Sequence, residues 1–231
     1  MLITGAAGGI GAETARVCAE QGASLVLVDV DGCGALLEEL GEGGIRATAH
    51  AVDVTDRHAV ETLIDSLPEL HAVVANAGVH PMDEWQDDDW DAAFQRVIDV
   101  NLMGVINVVR ASLPRLSAQQ QGKVVIVSSL AARMGGLLAK PHYVASKGGL
   151  AALVKWLARK AAPNRVNVNA VAPGATATPM TDGWGYSAEG IPLKRLATPR
   201  EIALPIAFLC SEGADYMCGA MLDVNGGVFM N

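Results

Sequence analysis

The chain has 231 residues, of which 51% are hydrophobic, 4% are aromatic and 18% are charged. This length is sufficient for one large domain with a substantial apolar core. The net charge is −8 and the 17 lysines and arginines are scattered, which argues against a nucleic-acid-binding surface and a nucleic-acid partner.

The apolar segments and the cysteines also exclude several classes of protein. No apolar run approaches the roughly 20 residues that a membrane-spanning helix needs, and residues 1–5 lack the basic start of a signal peptide. The four cysteines form no C-x-x-C pair and have no metal-like spacing to histidine. We therefore expect a cytoplasmic protein with reduced thiols, no metal and no membrane partner.

Short apolar runs rich in β-branched residues alternate with helix-like segments along the chain. Strands are predicted at 2–3, 24–30, 45–52, 72–75, 124–127, 166–171 and 221–224, and helices at 11–20, 34–40, 58–66, 90–116, 143–161 and 200–209. This alternation indicates βαβ crossovers and a parallel sheet covered on both faces. The prediction is an α/β fold, with residues 1–231 forming a single doubly wound domain around a seven-stranded parallel sheet flanked by helices.

A glycine-rich turn joins the first predicted strand to the first predicted helix. It reads Thr4-Gly5-Ala6-Ala7-Gly8-Gly9-Ile10-Gly11. Glycines there allow a tight turn and bring backbone N–H groups close to a pyrophosphate at the positive N-terminus of the helix. Because the glycines lie between a strand and a helix, they predict a Rossmann-type dinucleotide site.

Asp29 ends the second predicted strand, about twenty residues after the glycine turn. A carboxylate at this position would accept hydrogen bonds from both hydroxyls of an adenosine ribose and would repel a 2′-phosphate. Val30 follows it, and the glycine turn contains no Arg or Lys. We therefore predict NAD rather than NADP as the cofactor. Asp29 could instead cap the next helix, although Asp31 could take that part.

Two more strand ends carry residues suited to a dinucleotide. Asp53-Val54 follows the third strand, where the carboxylate could accept a hydrogen bond from the adenine amino group or could cap the next helix. Asn76-Ala77-Gly78 closes the fourth strand. Small residues there would let the backbone approach a cofactor, although this triplet is also ordinary turn chemistry.

The long predicted helix is preceded by an acidic run and contains a single asparagine in an apolar stretch. The acidic run, residues 83–91, is expected to be a solvated helix cap that favours the helix dipole, not a metal site. Asn101 needs hydrogen-bond partners in its apolar surroundings. It is therefore either a structural hydrogen-bonding residue or part of a proton path.

Tyr143 and Lys147 are four residues apart, and Ser129 precedes the tyrosine by fourteen residues. Residues four apart project from one face of a helix. A unit charge about 4 Å from a phenol, at an effective dielectric near ~20, is worth roughly 4 kcal/mol, or about three pKa units. Lys147 is thus predicted to lower the pKa of Tyr143, with Ser129 holding a substrate oxygen against the phenol. The same pair could instead occupy an ordinary amphipathic helix.

A loop of small and hydroxyl residues follows the sixth predicted strand. It reads Pro173-Gly174-Ala175-Thr176-Ala177-Thr178-Pro179 and is suited to cradle a nicotinamide and a pyrophosphate. Residues 181–192 follow without a clear period and contain Trp184 and Tyr186. They form a candidate substrate lid or an ordinary surface loop. His80, His142 and Trp184 could line the pocket, or could be surface or packing residues.

Taken together, these motifs resemble the common subgroup of the short-chain dehydrogenase/reductase family. The resemblance implies a catalytic tetrad of Asn101, Ser129, Tyr143 and Lys147. In that family the lysine holds the ribose hydroxyls of the cofactor and the asparagine positions a water of the proton relay. Ser129 is favoured over Ser128 because small residues follow it at the family's spacing.

The resemblance also implies which residues contact the cofactor and how subunits assemble. The implied NAD contacts are Gly5, Gly9, Ile10, Gly11, Asp29, Asp53, Val54, Asn76, Gly78, Tyr143, Lys147, Pro173, Gly174, Thr176 and Thr178. A homotetramer is implied, with helices 90–116 and 143–161 packed against a neighbour. The interval from Ser129 to Tyr143 is one residue longer than usual, which should alter the loop at 134–142. The short segment 181–192 suggests an open pocket or a small substrate.

These features predict an NAD-dependent oxidoreductase that interconverts a secondary alcohol and a ketone, with Tyr143 as general acid or base. One alternative is reduction of 3-oxoacyl thioesters on a carrier protein, although the acidic chain and Asp29 disfavour an acidic carrier and NADPH. A dinucleotide-sensing or scaffold protein without chemistry is another alternative, which an intact tetrad opposes. The segments expected to line the pocket contain no charged residue that would identify the small-molecule alcohol or ketone.

Overall fold

The strands of the computed structural model form one sheet. The structure describes residues 1–136 and 138–231. The strands are β1 (Leu2–Thr4), β2 (Leu25–Asp29), β3 (Ala47–Ala51), β4 (Ala72–Ala75), β5 (Gly122–Val127), β6 (Val166–Pro173) and β7 (Met221–Val224). Their order in the sheet is β3-β2-β1-β4-β5-β6-β7. All neighbouring strands are parallel, so the predicted seven-stranded parallel sheet is confirmed.

Helices connect the strands and cover both faces of the sheet. They are α1 (Gly9–Glu20), α2 (Gly34–Glu42), α3 (Arg57–Ser66), α4 (Trp90–Ile98), α5 (Val105–Ala118), α6 (Ala131–Met134), α7 (Pro141–Ala161) and α8 (Pro199–Cys210). A π-helix, Asp99–Gly104, joins α4 to α5. The prediction of one regular helix over 90–116 missed this π-helix, and α6 was not predicted. Neither a widened turn nor a four-residue helix leaves a clear period in a sequence.

Two apolar cores hold the layers together. Val73 in β4 packs in the core with α3, α5 and α7, whereas the next residue, Val74, packs in the core with α1, α2 and α8. Val124 and Val125 in β5 divide in the same way. Successive strand residues point to opposite faces, so a sheet covered on both sides needs continuous apolar runs.

The continuous helical run Trp90–Ala118 is long and apolar enough, by length and composition alone, to cross a membrane. It contains the charged residues Asp99 and Arg110, so it is not an uninterrupted apolar run of the kind excluded above. Val108 and Leu116 on this run are 2% and 0% exposed in the core beside α3 and α7. Burial against the sheet accounts for its apolar character.

The central strand β1 lies between β2 and β4. The chain winds from β1 toward β3 on one side and from β4 toward β7 on the other. Where the winding direction changes, the loops after β1 and β4 diverge and leave a crevice at the carboxyl edge of the sheet. The glycine turn and the segment after β4 both lie at this crevice.

Candidate active site

The glycine turn packs tightly against the end of β4. Gly5 and Gly9 adopt left-handed backbone conformations, with φ of +65° and +54°. A Cβ on Gly11 would lie 1.9 Å from the carbonyl oxygen of Gly5. Asn76 fixes the turn, because its Nδ2 donates to the carbonyl oxygens of Thr4 and Gly5 at 3.1 and 3.0 Å. Positions 5, 9 and 11 therefore need glycine.

Substitution Gly11→Ala is expected to destabilise this turn, because the new Cβ would displace backbone and not a flexible side chain. Overpacking of this kind costs about 1–3 kcal/mol, which for a chain of this size lowers Tm by roughly 2–12 °C. Gly8→Ala is the matched control, since a Cβ there meets nothing within 4 Å. Thermal denaturation measures the effect, and equal Tm values for the two variants would contradict the packing described here.

Asp29 directs its carboxylate at the glycine turn. Its Oδ2 accepts the backbone N–H of Ala7 at 3.0 Å, and its Oδ1 accepts the N–H of Asp31 at 3.4 Å. The N-cap of α2 is Cys33, so neither aspartate caps that helix. Val30 is 62% exposed beside the crevice. A ribose above this turn would meet a carboxylate.

The residues after β3 have different surroundings. Asp53 is exposed, and its Oδ1 accepts the N–H of Thr55 at 2.8 Å. The side chain that caps α3 is Asp56, so Asp53 is not the cap. Val54 is 6% exposed and packs against Gly104, so only its backbone is available to a ligand.

Ser129, Tyr143 and Lys147 come together at the carboxyl end of β5. Lys147 is 3% exposed, and its Nζ donates to the carbonyl oxygen of Val127 at 2.9 Å and lies 5.5 Å from the centre of the Tyr143 ring. Ser129 Oγ accepts a backbone N–H at 3.1 Å and faces the phenol. The Ser128 hydroxyl instead donates to the carbonyl oxygen of Lys147 at 3.2 Å. This geometry favours Ser129 over Ser128.

Burial governs the protonation of both groups on α7. Desolvation raises the pKa of Tyr143 to about 12, while the Ser129 hydroxyl opposes this rise by hydrogen bonding to the phenolate. Desolvation also lowers the pKa of Lys147 to about 8. The prediction that Lys147 gives Tyr143 a net lowered pKa is therefore wrong for the protein alone, because desolvation of the phenol dominates. Spacing places an ammonium near a phenol, but it does not reveal the desolvation of both groups.

Asn101 lies in the π-helix and is completely buried. Its Oδ1 accepts the N–H of Val79 at 2.8 Å, and its Nδ2 donates to the carbonyl oxygen of Val79 at 2.9 Å and to Ser146 Oγ at 3.3 Å. A Cβ on Gly78 would lie 3.3 Å from Asn101 Oδ1 and 3.7 Å from Lys147 Nζ. The structural role predicted as one alternative for Asn101 is thus present, and its part in a proton path stays a prediction.

The loop after β6 lies over the glycine turn. A Cβ on Gly9 would lie 3.4 Å from Thr178 Cγ2. Thr176 is 3% exposed, and its hydroxyl donates to the carbonyl oxygen of Gly174 at 3.0 Å. Pro173 accepts the N–H of Leu130 at 2.8 Å through its carbonyl oxygen. The loop is thereby tied both to the glycine turn and to the segment that follows Ser129.

A cavity of about 370 Å³ lies between these elements. Of the predicted site residues, it is bordered by Ile10, Asn76, Gly78, Ser129, Tyr143, Lys147, Pro173, Gly174, Thr176 and Thr178. Within the described residues, it is not bordered by Gly5, Gly9, Gly11, Asp29, Asp53, Val54 or Asn101. Apolar walls that the sequence did not predict come from Leu138, Met180, Ile191 and Val228. They lie in loops whose sequences lack the hydrophobic periodicity of a helix or strand. Leu137 lies outside the described residues.

The predicted lid borders one side of the cavity. Tyr186 and Ile191 from this segment line it, and Trp184 stacks on His80 with ring centroids 4.1 Å apart. His80 in turn stacks on Tyr143 at 4.1 Å. The segment is therefore a wall of the cavity and not an unrelated surface loop. Its opening and closing stay a prediction.

Of the three residues predicted either to line the pocket or to be surface or packing residues, His80 borders the cavity, whereas Trp184 and His142 do not. His142 takes the predicted alternative and is a packing residue. It is completely buried, and its Nε2 lies 3.0 Å from both carboxylate oxygens of Asp83. The acidic run is thus not wholly a solvated cap, because the Asp83 side chain is 13% exposed and pairs with a residue on α7. The loop before α4 folds back onto α7, which no local pattern indicates. Among the described residues, no group of three or more His, Cys, Asp or Glu side chains is placed to hold a metal ion.

The chain is similar in sequence to known dehydrogenases and reductases. Residues 5–229 match the family model described as enoyl-(acyl carrier protein) reductase. The chain is 39% identical to cis-4-hydroxycyclohexanecarboxylate dehydrogenase of Sinomonas cyclohexanicum, over 98% of this chain and 94% of the relative.

Two solved structures share the fold over nearly their whole length. A 3-oxoacyl-[acyl-carrier protein] reductase with bound NAD from Brucella melitensis is 33% identical with a TM-score of 0.91, covering 100% of this chain and 90% of that one. A putative NAD(P) dependent gluconate 5-dehydrogenase from Beutenbergia cavernae, with bound NADP at low occupancy, is 29% identical with a TM-score of 0.92, covering 98% and 95%.

Proposed function

The chain belongs to the short-chain dehydrogenase/reductase family, and from this premise we propose that it is an NAD-dependent enzyme that interconverts a secondary alcohol and a ketone. Membership makes it an oxidoreductase that uses a nicotinamide dinucleotide. The observation that carries the finer proposal is the cavity in which Ser129, Tyr143 and Lys147 converge near the glycine turn. The cytoplasmic location and the homotetrameric state of the protein stay predictions.

The residues at the crevice fit such a dinucleotide. Gly5 and Gly11 leave no room for side chains, whereas a Cβ on Gly8 would meet nothing within 4 Å, so the turn presents open backbone at the start of α1. N–H groups at a helix N-terminus suit a pyrophosphate. Asp29 would hold the adenosine ribose and Lys147 the nicotinamide ribose. When bound, the oxidised nicotinamide ring would accept a hydride and add a positive charge beside the phenol.

The protein groups would then handle the proton on the substrate oxygen. Tyr143 takes that proton during alcohol oxidation and returns it during ketone reduction. Ser129 donates a hydrogen bond to the same oxygen and holds it against the phenol. The Lys147 ammonium favours the phenolate electrostatically. Because burial raises the pKa of Tyr143 to about 12, the protein alone favours the phenol, the form that donates a proton to a ketone.

The rate of alcohol oxidation is expected to rise between pH 6 and pH 9, while the rate of ketone reduction does not rise. Oxidation needs the phenolate, and for a phenol whose pKa is raised to about 12 the phenolate fraction grows with pH throughout this range. The rise should become less steep above the Lys147 pKa of about 8, because the ammonium then loses its charge. Initial rates followed by NADH absorbance check this, and an oxidation rate that falls between pH 6 and pH 8 would contradict it.

Similarity to a 3-oxoacyl-[acyl-carrier protein] reductase favours a second candidate, reduction of a 3-oxoacyl thioester. The net charge of −8 and Asp29 stand against an acidic carrier and NADPH. A panel of secondary alcohols, ketones and 3-oxoacyl thioesters, assayed by NADH absorbance, separates the candidates. Turnover of thioesters alone would support the second candidate. Dinucleotide binding without turnover of any compound would support a sensor or scaffold.

A further inference from the structure

His80 lies between the catalytic phenol and the predicted lid. Its ring is stacked on Tyr143 on one side and on Trp184 on the other, with centroid distances of 4.1 Å on both sides and interplanar angles of 25° and 19°. Stacked rings of this kind attract one another beyond the burial of their surface. Three rings from three separate parts of the chain therefore form one continuous stack at the edge of the cavity.

The His80 ring is also fixed to the start of α7. Its Nε2 accepts the backbone N–H of Lys140 at 3.2 Å, the residue directly before the helix that carries Tyr143. A ring nitrogen that accepts a hydrogen bond carries no proton, so the neutral ring has its proton on Nδ1.

Burial, together with the charged surroundings, keeps this ring neutral. Burial and the nearby His142, Lys147 and Lys140 lower the pKa of His80 to about 4, and only Asp83 acts in the opposite direction. A second proton would remove the acceptor and place a cation beside two lysines. The stack and the hydrogen bond therefore persist over the neutral pH range.

The backbone beneath the ring is equally constrained. Val79, the preceding residue, has both its N–H and its carbonyl oxygen bonded to the buried side chain of Asn101 at 2.8 and 2.9 Å. His80 is thus held at its backbone by the π-helix and at its ring by the residue before α7. A ring anchored at two points is a rigid surface for the phenol and for Trp184.

We propose that His80 is a positioning residue that orients the Tyr143 phenol for proton transfer and docks segment 181–192 through Trp184. The proposal rests on the proposed function, because it takes Tyr143 as the group that exchanges the proton. A shift of roughly 1 Å in a reacting group can cost about 10²-fold in rate. Loss of the rigid His80 surface would therefore displace the Tyr143 phenol and lower the rate.

Two substitutions of His80 separate the stack from the hydrogen bond. His80→Ala removes both, and we expect kcat to fall roughly 10- to 100-fold while the Kd for NADH changes less than about twofold. His80→Phe keeps a flat ring, so it should restore kcat to within about fivefold of wild type with an unchanged pH profile. His58→Ala, at an exposed position on α3, is the control and should have no effect. A kcat within twofold of wild type in His80→Ala would overturn the proposal.

A double-mutant cycle with Trp184→Ala tests the docking of the segment. Trp184→Ala should raise the substrate KM several-fold, and adding it to His80→Ala should cause little further loss of kcat/KM, because the stack is already broken. Additive losses would show that the two rings act independently and would overturn the docking role. Should His80→Ala fail to fold, His80→Leu, which also removes the flat ring but fills more of its volume, gives the same cycle with Trp184→Ala, and additive losses there would also overturn the docking role.

Limited proteolysis gives a readout that does not depend on turnover. Chymotrypsin should cleave after Tyr186 faster in His80→Ala than in wild type, because segment 181–192 is no longer docked. An unchanged cleavage rate would overturn the docking role even if the enzyme is active. By contrast, a wild-type chain without turnover, or a fully active Tyr143→Phe, would overturn the proposed function and leave the proteolysis result to decide the docking.

Discussion

Replacement of Tyr143 by Phe is expected to lower kcat by about 10²- to 10⁴-fold, the range over which a positioned general acid or base contributes. The phenol lines the cavity together with Ser129 and Lys147, faces the Ser129 hydroxyl, and has Lys147 Nζ 5.5 Å from the centre of its ring. Removing its oxygen leaves the aromatic ring, the stack on His80 and the Lys147 to Val127 hydrogen bond in place. The Kd for NADH and the Tm are therefore expected to stay close to wild type.

Tyr186→Phe is the matched control for this experiment. Tyr186 also lines the cavity, and burial raises the pKa of its phenol as well. It comes from segment 181–192 and not from α7, so its hydroxyl is not part of the Ser129, Tyr143 and Lys147 arrangement. We expect kcat for Tyr186→Phe within about fivefold of wild type. Turnover near wild type in Tyr143→Phe would remove Tyr143 from the mechanism, and equal losses in both variants would point to the shape of the cavity instead.

The sequence predicts those parts of the fold and site that follow from local spacing. Alternation of apolar strands and helices determined the parallel sheet, because a strand buried on both faces needs a continuous apolar run. The four-residue interval between Tyr143 and Lys147 placed both side chains on one face of α7. Gly5, Gly9 and Gly11 were identifiable because a tight turn before a helix excludes other residues.

Features that depend on long-range packing could not be predicted in this way. His142 directly precedes Tyr143 in the sequence, yet it is buried against Asp83 from a different loop. The direction of the Tyr143 pKa shift depends on desolvation, which no spacing reveals. The apolar walls at Met180 and Ile191 come from segments without a period. Sequence therefore indicates the reacting groups of the site better than the shape of its pocket.

A preference for NAD over NADP of about 10²-fold in kcat/KM is expected, with Asp29 as its proposed source. A hydrogen bond to a charged group contributes about 1.5–3 kcal/mol, or roughly 10- to 100-fold. The same carboxylate would repel a 2′-phosphate. Comparable kcat/KM values with the two cofactors in the wild-type enzyme would contradict this assignment, and one structural relative does hold NADP at low occupancy.

Asp29→Asn tests the charge without disturbing the turn. An asparagine Oδ1 can still accept the N–H of Ala7, which Asp29 holds at 3.0 Å, so the glycine turn should keep its conformation. Adding Val30→Arg places a cation on a side chain that is 62% exposed and free to reach a 2′-phosphate. We expect the single change to cut kcat/KM with NAD roughly tenfold, and the double change to bring the two cofactors to about equal kcat/KM.

Asp53→Asn is the control that separates a local effect of Asp29 from a general effect of charge. It removes one negative charge from an exposed turn, and the contact predicted for Asp53, the adenine amino group, is common to NAD and NADP. If NADP binds better after Asp53→Asn to the same degree as after Asp29→Asn, the preference comes from the overall charge of −8 acting at long range. If the change in cofactor preference occurs only in Asp29→Asn and is only slightly smaller at high salt, the preference comes from direct contact between Asp29 and the ribose. Salt screens short-range, partly buried interactions much less than distant exposed ones.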